Sequence, residues 1–353
     1  MWVWVKGAGG SRAAAVVSYS LVLTVVMGCR QAPPLPGSSR LPNEGDLIVL
    51  IGPAESSPQW AGIAGGARRF IERYPALRLE AVAPADNRSE TLMQVVREAL
   101  ANDPKAICLY VSNRAAAAAA AEAVVAHAAI LVTLGVELDI PGVFGHVEED
   151  VAGAAELLGR HLDEIVSGKQ SYVLLHRAGT STKDTQCYER FLSKARSYRA
   201  ISLLEERNVG QGDRSSAHLV RAMFARFRHA GLVVTLEPSA WLSAAPADVL
   251  GQNARFATVG AAPALWGYLR SGEATALAGS LDGELGSLAV ELALGAITES
   301  RKPGAVRTAR SELVTRETLD DFAKRYAEAA GLDVEKLLSI PAASQPVEPP
   351  VTP

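Results

Sequence analysis

One pair of residues in the sequence has the types needed for covalent hydrolysis. Cys187 and His176 are the only nominal pairing of a nucleophile with a base. A reactive thiol needs cationic neighbours that lower its pKa, and the sequence around it supplies only Lys183 and Arg190. No Gly-x-Ser-x-Gly nucleophile motif flanks the pair. We therefore predict that the protein is not an enzyme.

Cofactor and metal chemistry are equally weakly indicated. The glycines of Gly62–Gly66 fall inside a predicted helix, whereas a phosphate loop lies between a strand and a helix. The histidines form no pair at metal-ligand spacing, and His146 with Glu149 alone would be a poor site. The sequence predicts neither a cofactor nor a metal.

The N-terminal residues predict export. A largely apolar stretch runs from Ala13 to Met27, which is shorter than the roughly 20 apolar residues of a membrane span. The segment Val26-Met27-Gly28-Cys29 then resembles the lipobox of bacterial lipoproteins, although a small residue is usual where Met27 stands. By that resemblance Cys29 becomes the lipid-modified first residue. An uncleaved anchor and an ordinary cleaved signal are the alternatives.

These features give the predicted ends of the chain. We expect a signal peptide at 1–28, a lipidated cysteine with a flexible linker at 29–45, and a disordered Pro-rich tail at 339–353. Two or more acyl chains on Cys29 would anchor the protein to the cell envelope. The folded part would face the periplasm or the exterior.

The composition is that of a globular protein with more than one core. Of 353 residues, 48% are hydrophobic and 21% are charged, and the ordered part is too long for a single core. The formal net charge of −3 and the lack of basic blocks argue against a nucleic-acid partner. Cys108 lies in an apolar run and is predicted to be a buried thiol.

Short apolar runs alternate with helical patterns from Asp46 onward. Leu47 to Ile51 is a continuous apolar run, as in a strand that is covered on both faces. The next segment, from about Gln59 to Tyr74, has apolar residues at three- and four-residue spacing, which predicts a helix. The alanine tract from Ala115 to Ala129 is predicted to be a crossover helix. The alternation restarts at Val151, so two α/β units in tandem, each with a parallel sheet, are the simplest account.

Several short motifs in this order resemble the sugar-binding type I periplasmic binding proteins, the ribose-binding and lac-repressor-like family. The likeness runs from about Asp46 to Ala327. It rests on the segments Ile48–Trp60, Glu148–Gly153, Ala178–Ser181, Val259-Gly260 and Ala278–Gly286.

The resemblance implies two Rossmann-like lobes that are joined by three crossings of the chain, with hinge closure on a solute. The crossings are expected near Val147, Ser280 and Pro303. The N-terminal lobe would then comprise 46–147 and 281–303, and the C-terminal lobe 148–280 and 304–338.

The resemblance also places a ligand site at the carboxyl ends of the strands. Gln59 and Trp60 occupy the positions of the aromatic pair that stacks on the sugar ring, and Trp60 could equally be a core contact. Five polar positions of the family are changed, and here they read Gly135, Cys187, Glu237-Pro238, Ala262 and Ser280. The predicted ligand-binding residues are Gln59, Trp60, Val111, Arg114, Glu137, His176, Lys183, Glu237, Trp241 and Ser280. For Glu237 a helix-capping role is equally compatible with the sequence.

The sequence therefore predicts a membrane-anchored solute-binding protein of an ABC import system, with a small carbohydrate-like or other polar solute in the interlobe cleft. Its partners would be that solute, an ABC permease or membrane receptor, and the membrane through the lipid anchor. Because so many polar positions are changed, the alternative is a sensory or interaction lipoprotein with a diverged or vestigial cleft. A transcription regulator is disfavoured, since no helix-turn-helix precedes Asp46.

Overall fold

The apolar runs of the sequence form the strands of two six-stranded sheets. The computed structural model describes residues 42–166, 171–209, 216–227, 230–250 and 255–340. The predicted signal peptide, Cys29 and the predicted tail beyond Ile340 lie outside the described residues.

The strands and helices have the following bounds. The strands are β1 (Asp46–Ile51), β2 (Leu77–Val82), β3 (Ala106–Val111), β4 (Ile130–Gly135), β5 (Val143–Glu149), β6 (Ser171–His176), β7 (Ser202–Asn208), β8 (Leu232–Thr235), β9 (Arg255–Val259), β10 (Ala274–Gly279), β11 (Ala305–Ala309) and β12 (Glu312–Val314). The helices are α1 (Trp60–Ile71), α2 (Ser89–Leu100), α3 (Arg114–Ala126), α4 (Val151–Arg160), α5 (Leu162–Val166), α6 (Thr182–Ala195), α7 (Ser216–Arg226), α8 (Ser239–Ser243), α9 (Pro246–Leu250), α10 (Trp266–Ser271), α11 (Asp282–Ile297), α12 (Leu319–Ala330) and α13 (Val334–Leu338).

Each sheet is the centre of one lobe. The first has the order β11-β5-β4-β3-β1-β2 and is parallel throughout. The second has the order β12-β10-β9-β8-β6-β7, and only β12 runs antiparallel to its neighbour. The predicted α/β class with two parallel-sheet lobes is confirmed. Helices cover the strands on both faces, as the continuous apolar runs indicate.

The alanine tract forms helix α3, as predicted. The Asn113 side chain begins it by accepting hydrogen bonds from the backbone N–H groups of Ala115 and Ala116, at 2.8 and 3.2 Å. Ala117, Ala120, Ala121 and Val124 face the core of the first lobe. Their small side chains let the helix lie close to the sheet.

The chain passes between the lobes at three places. It leaves the first sheet at the end of β5, returns after β10, and leaves again between β11 and β12. The third passage lies at Arg310 and Ser311, and the expectation of a crossing near Pro303 is corrected. The reason is that β11 pairs with β5 from Ala305 to Ala309, so the first sheet gains its edge strand before the chain crosses.

Helices α1 and α11 of the first lobe pack unusually closely. A Cβ atom at Gly66 would lie 1.9 Å from the Gly283 carbonyl oxygen, and one at Gly286 would lie 1.9 Å from the Ile63 carbonyl oxygen. The glycines of Gly62–Gly66, which do not form a phosphate loop, therefore allow the helices to pack closely. Helix α12 joins the same group, because a Cβ atom at Gly65 would lie 1.8 Å from the Ala330 carbonyl oxygen.

Helix α12 also belongs to the core of the second lobe. The Trp266 ring meets the Tyr326 and Phe322 rings edge to face, with centroids 5.3 and 6.1 Å apart. One helix thus packs against both lobes near the three passages.

We predict that Gly66→Ala lowers the free energy of unfolding by about 1 to 3 kcal/mol, because the added methyl group would overpack the contact with α11. Helix propensity alone predicts the opposite sign, a gain of up to about 1 kcal/mol. Denaturant unfolding of the two proteins measures the difference. Ala61→Gly, at an exposed position of the same helix, is the control for propensity. A more stable Gly66→Ala protein would contradict close packing.

Candidate functional site

The candidate site follows from where the parallel strands end. Strands of one parallel sheet end at the same edge, and open α/β sheets bind their ligands at that edge. In the first lobe, Trp60 stands at the start of α1, beside the end of β1. Its indole covers Gly52, where a Cβ atom would lie 2.1 Å from the ring. The side chain is only partly buried, so part of the indole surface is accessible.

Three polar atoms at the matching edge of the second sheet are buried without a hydrogen-bond partner among the described residues. They are Arg177 Nε after β6, Glu237 Oε1 after β8 and Ser280 Oγ after β10. Strands β6 and β8 are neighbours, and Leu175 pairs with Thr235 just before the ends of both. A donor, an acceptor and a hydroxyl group are thus present at one edge. Buried polar groups without partners are costly in a folded protein.

The other oxygen of Glu237 is used within the protein. Glu237 Oε2 accepts a hydrogen bond of 2.8 Å from the backbone N–H of Ser239, at the start of α8. Glu237 therefore caps the helix with one carboxylate oxygen. The other oxygen, Oε1, has no partner among the described residues and is the one that could contact a ligand.

Lys183 connects the lobes. From the first turn of α6 its ammonium group lies 2.5 Å from Glu148 Oε2 and donates to the Gly135 carbonyl oxygen at 3.4 Å. Glu148 lies at the end of β5, and Gly135 ends β4 in the first lobe. The pKa of His146 is lowered by burial and by the charge of Lys183, and the Glu148 carboxylate opposes this effect. His146 Nδ1 lies 2.9 Å from Thr133 Oγ1, and its Nε2 has no partner among the described residues.

Gln59 lies in a network at the passages between the lobes. Its Nε2 donates to Glu149 Oε1 at 3.0 Å and to Asp282 Oδ1 at 3.4 Å. Its Oε1 accepts a hydrogen bond of 3.2 Å from the Tyr110 hydroxyl group. Tyr326 in α12 donates to Asp282 Oδ2 at 2.5 Å. Both amide hydrogens of Gln59 are used inside the protein, and its predicted contact with a ligand stays a prediction.

The two carboxyl groups of this network have perturbed acidity. Burial, with the nearby Glu149 carboxylate, raises the pKa of Asp282 to about 8. Burial also raises the pKa of Glu149, against the opposing effects of the Gln59 hydrogen bond and the Lys183 charge. No role for this pair is predicted from the sequence. The run Glu148-Glu149-Asp150 at a predicted crossing is the available signal.

Two predicted ligand contacts are wrong. Trp241 is fully buried in the core of the second lobe, where its ring stacks on Phe256 with centroids 4.1 Å apart. Its indole N–H donates to Thr235 Oγ1 at 2.8 Å. Val111 is 1% exposed and packs in the core of the first lobe. Neither side chain has surface left for a solute, because each is enclosed in the core of its lobe.

His176 makes the contacts of a structural residue. It is buried, its Nδ1 accepts a hydrogen bond of 3.1 Å from the backbone N–H of Ala178, and its ring lies 4.1 Å from that of Tyr188. Burial lowers its pKa. The neighbouring Arg177 is the residue that sequence analysis misses, although a charged residue directly after a buried strand is a usable signal.

Arg114 and Glu137 are exposed at the edge of the first lobe. Arg114 Nε donates to the Glu137 carbonyl oxygen at 2.9 Å, so the two follow β3 and β4 side by side. Their roles, like those of Trp60, Lys183, Glu237 and Ser280, stay predictions.

Both cysteines in the described part of the chain are buried thiols. Burial raises the pKa of the Cys187 thiol to about 12, which leaves it un-ionised at neutral pH. Cys108 is fully buried, as predicted. Within the described ranges, no group of three His, Cys, Asp or Glu side chains could hold a metal ion.

The sequence matches a family model, that of the periplasmic binding protein domain, over residues 48–301. The chain belongs to the periplasmic binding protein domain family. No curated protein matches the sequence. Among the described residues, none of the helices has the length and apolar character that crossing a membrane requires.

Solved structures share the fold of this binding protein at low identity. AraP, an arabinose-binding protein from Geobacillus stearothermophilus, is 12% identical, with a TM-score of 0.67 over 79% of this chain and 99% of that one. An ABC transporter solute-binding protein from Agrobacterium vitis, bound with alpha-D-tagatopyranose, is 15% identical, with a TM-score of 0.65 over 79% and 98%. One from Burkholderia graminis, in complex with D-arabinose, is 13% identical, with a TM-score of 0.64 over the same shares.

We predict that Trp241→Ala lowers the free energy of unfolding of this binding protein by about 3 to 5 kcal/mol, because it leaves a cavity in the second core. Trp241→Phe keeps an aromatic ring and should lose less. Denaturant unfolding measures both. A loss below about 1 kcal/mol for Trp241→Ala would return this residue to the candidate ligand contacts.

Proposed function

We propose that this protein is the solute-binding component of an ABC importer and that it holds a sugar or polyol between its lobes. The observation that carries the proposal is the set of unpartnered buried polar atoms on Arg177, Glu237 and Ser280, at the edge of the second sheet where this fold binds ligands. A donor, an acceptor and a hydroxyl group are the groups that neighbouring hydroxyls of a polyhydroxy compound would satisfy. The sugars bound by the neighbouring structures support the same class.

Trp60 supplies the apolar part of the proposed site. An indole face suits the C–H side of a pyranose ring, and the Gly52 backbone supports the indole from beneath. Lys183, Arg114 and Glu137 would contact the solute at the rim. Since Lys183 already pairs with Glu148, a solute would have to share or displace that interaction. Binding is non-covalent in this proposal, and the protein acts by closure and docking to a permease.

Membrane attachment is the second part of the proposal. The lipobox-like segment before Cys29 supports export and acylation of that cysteine, which would keep the binding protein at the envelope beside its permease. The binding lobes would begin near Asp46, after the linker 29–45.

We predict that a library of sugars, polyols and nucleosides contains at least one compound that raises the melting temperature of the purified protein by several degrees, because a ligand of the folded state stabilises it. A thermal-shift screen measures this. If no compound in a broad library shifts the transition, the transport role fails and the sensory or interaction lipoprotein with a diverged cleft is favoured.

For the compound found in that way, we predict that Trp60→Ala and Arg177→Ala each weaken binding at least tenfold. The first variant removes the indole surface that packs on the solute, and the second removes a hydrogen-bond donor. Calorimetric titration gives the dissociation constants. Glu189→Gln, at an exposed position of α6, is the matched control and should bind as the wild type does. Unchanged binding by either alanine variant would remove that residue from the site.

We predict that Cys29→Ser transfers the protein from the membrane fraction to the soluble fraction of the envelope, because the acylated residue is lost. Fractionation and immunoblotting measure the distribution. Retention of Cys29→Ser in the membrane with its N-terminal segment uncleaved would contradict the lipoprotein assignment.

A further inference from the structure

One lysine of the second lobe contacts the ligand edge of the first sheet at two points. Lys183 lies in the first turn of α6, which follows β6 of the second sheet. Its ammonium group lies 2.5 Å from Glu148 Oε2, near the end of β5, and donates to the carbonyl oxygen of Gly135, which ends β4, at 3.4 Å. Strands β4 and β5 are neighbours in the first sheet. The lysine therefore spans from one lobe to the other at the edges where this fold binds ligands.

Each end of the Lys183–Glu148 ion pair is fixed to its own lobe. Glu148 pairs with Thr308 of β11 in the first sheet, and its Oε1 accepts a hydrogen bond of 3.5 Å from the Thr308 hydroxyl group. The start of α6 is fixed by Ser181, whose hydroxyl oxygen accepts from the Asp184 backbone N–H at 3.0 Å. The same helix inserts the fully buried Phe191 into the core of the second lobe. Separation of the lobes must therefore break the ion pair.

The ion pair is partly shielded from water. The Lys183 and Glu148 side chains are 32% and 26% exposed. Fully exposed ion pairs contribute little to stability, whereas partial burial reduces screening by solvent and salt. The open and closed forms of a hinged protein differ by a small free energy, so one contact of this kind changes their populations severalfold.

We propose that the Lys183–Glu148 ion pair is a latch that holds the two lobes together when no solute is bound. The solute reaches its site only in molecules in which this latch is broken. The latch itself is independent of the solute, while its effect on solute entry rests on the proposed binding function.

Interlobe distances in the ligand-free protein measure the latch directly. Spin labels on Arg97→Cys of α2 and Glu189→Cys of α6 occupy exposed positions, one on each lobe. The native Cys108 and Cys187 are buried, and the labelled chain also carries Cys29→Ser so that this thiol is not labelled. Electron paramagnetic resonance then gives the distribution of distances between the two labels.

We expect a narrow distance distribution with the latch intact, and a broader one that extends to longer distances in Lys183→Met and in Glu148→Gln. The double variant should be no broader than the single variants, because both remove the same interaction. Lys194→Met is the matched control, since Lys194 of the same helix pairs with Glu156 inside the second lobe at 3.4 Å, and its distribution should stay narrow. Equal distributions with and without Lys183, or additive effects of the two substitutions, would overturn the latch.

Salt provides a test that needs no substitution at Glu148. About 1 M NaCl shortens the Debye length to about 3 Å, which weakens a partly exposed ion pair. We expect the distribution with the latch intact to broaden in this salt and that of Lys183→Met to stay unchanged. The same response to salt in both proteins would contradict an electrostatic latch.

The effect on solute entry is tested with the compound found in the thermal-shift screen. We expect Glu148→Gln to raise its association rate constant about two- to fivefold, because a partly exposed ion pair shifts the open population by about that factor. Stopped-flow fluorescence of the tryptophans measures the rate. An unchanged or lower rate constant would overturn the control of entry. If no compound binds, the proposed function fails, and the distance and salt experiments still decide whether the latch exists.

Discussion

The hydrogen bonds of Gln59 to Glu149 and Asp282 hold together two of the three chain passages between the lobes. Each lobe has its own parallel sheet and its own core, and only three short passages of backbone join them. Such passages carry few side chains, so a small number of contacts must define how the lobes are connected. A buried polar network can define this connection closely, since hydrogen bonds restrict the angles as well as the distances between the groups they join.

Packing around that network is tight for the same reason. Glycines at Gly62, Gly66 and Gly286 let α1 and α11 approach to backbone contact, and α12 closes over both. A Cβ atom at any of these positions would clash with a facing helix. The alanine-rich helix α3 uses small side chains for a similar purpose on the opposite face of the first sheet. Small residues thus let the helices lie close to one another and to the first sheet.

The fold could be predicted from the sequence because buried parallel strands are written as continuous apolar runs. Leu47 to Ile51 and Tyr172 to Leu175 are such runs, and both lie in strands. Predictions fail where burial depends on tertiary packing. Trp241 follows a strand at a ligand-facing position in the sequence, yet its ring turns into the core and stacks on Phe256. The edge strand β11 is not predicted because Ala305–Ala309 is half-exposed and carries no continuous apolar run.

The same distinction explains what sequence reasoning can say of the site. Glu237 is predicted because it follows a buried strand closely, and Ser280 because of its position in the family resemblance, and both carry an unpartnered buried atom. Arg177 obeys the same rule but stands beside His176, whose ring and Nδ1 are occupied within the protein. The carboxyl pair requires knowledge that residues far apart in sequence meet at one glutamine, which no local pattern records. Three of the strand ends where this fold allows ligand contact thus carry a buried polar atom without a partner among the described residues.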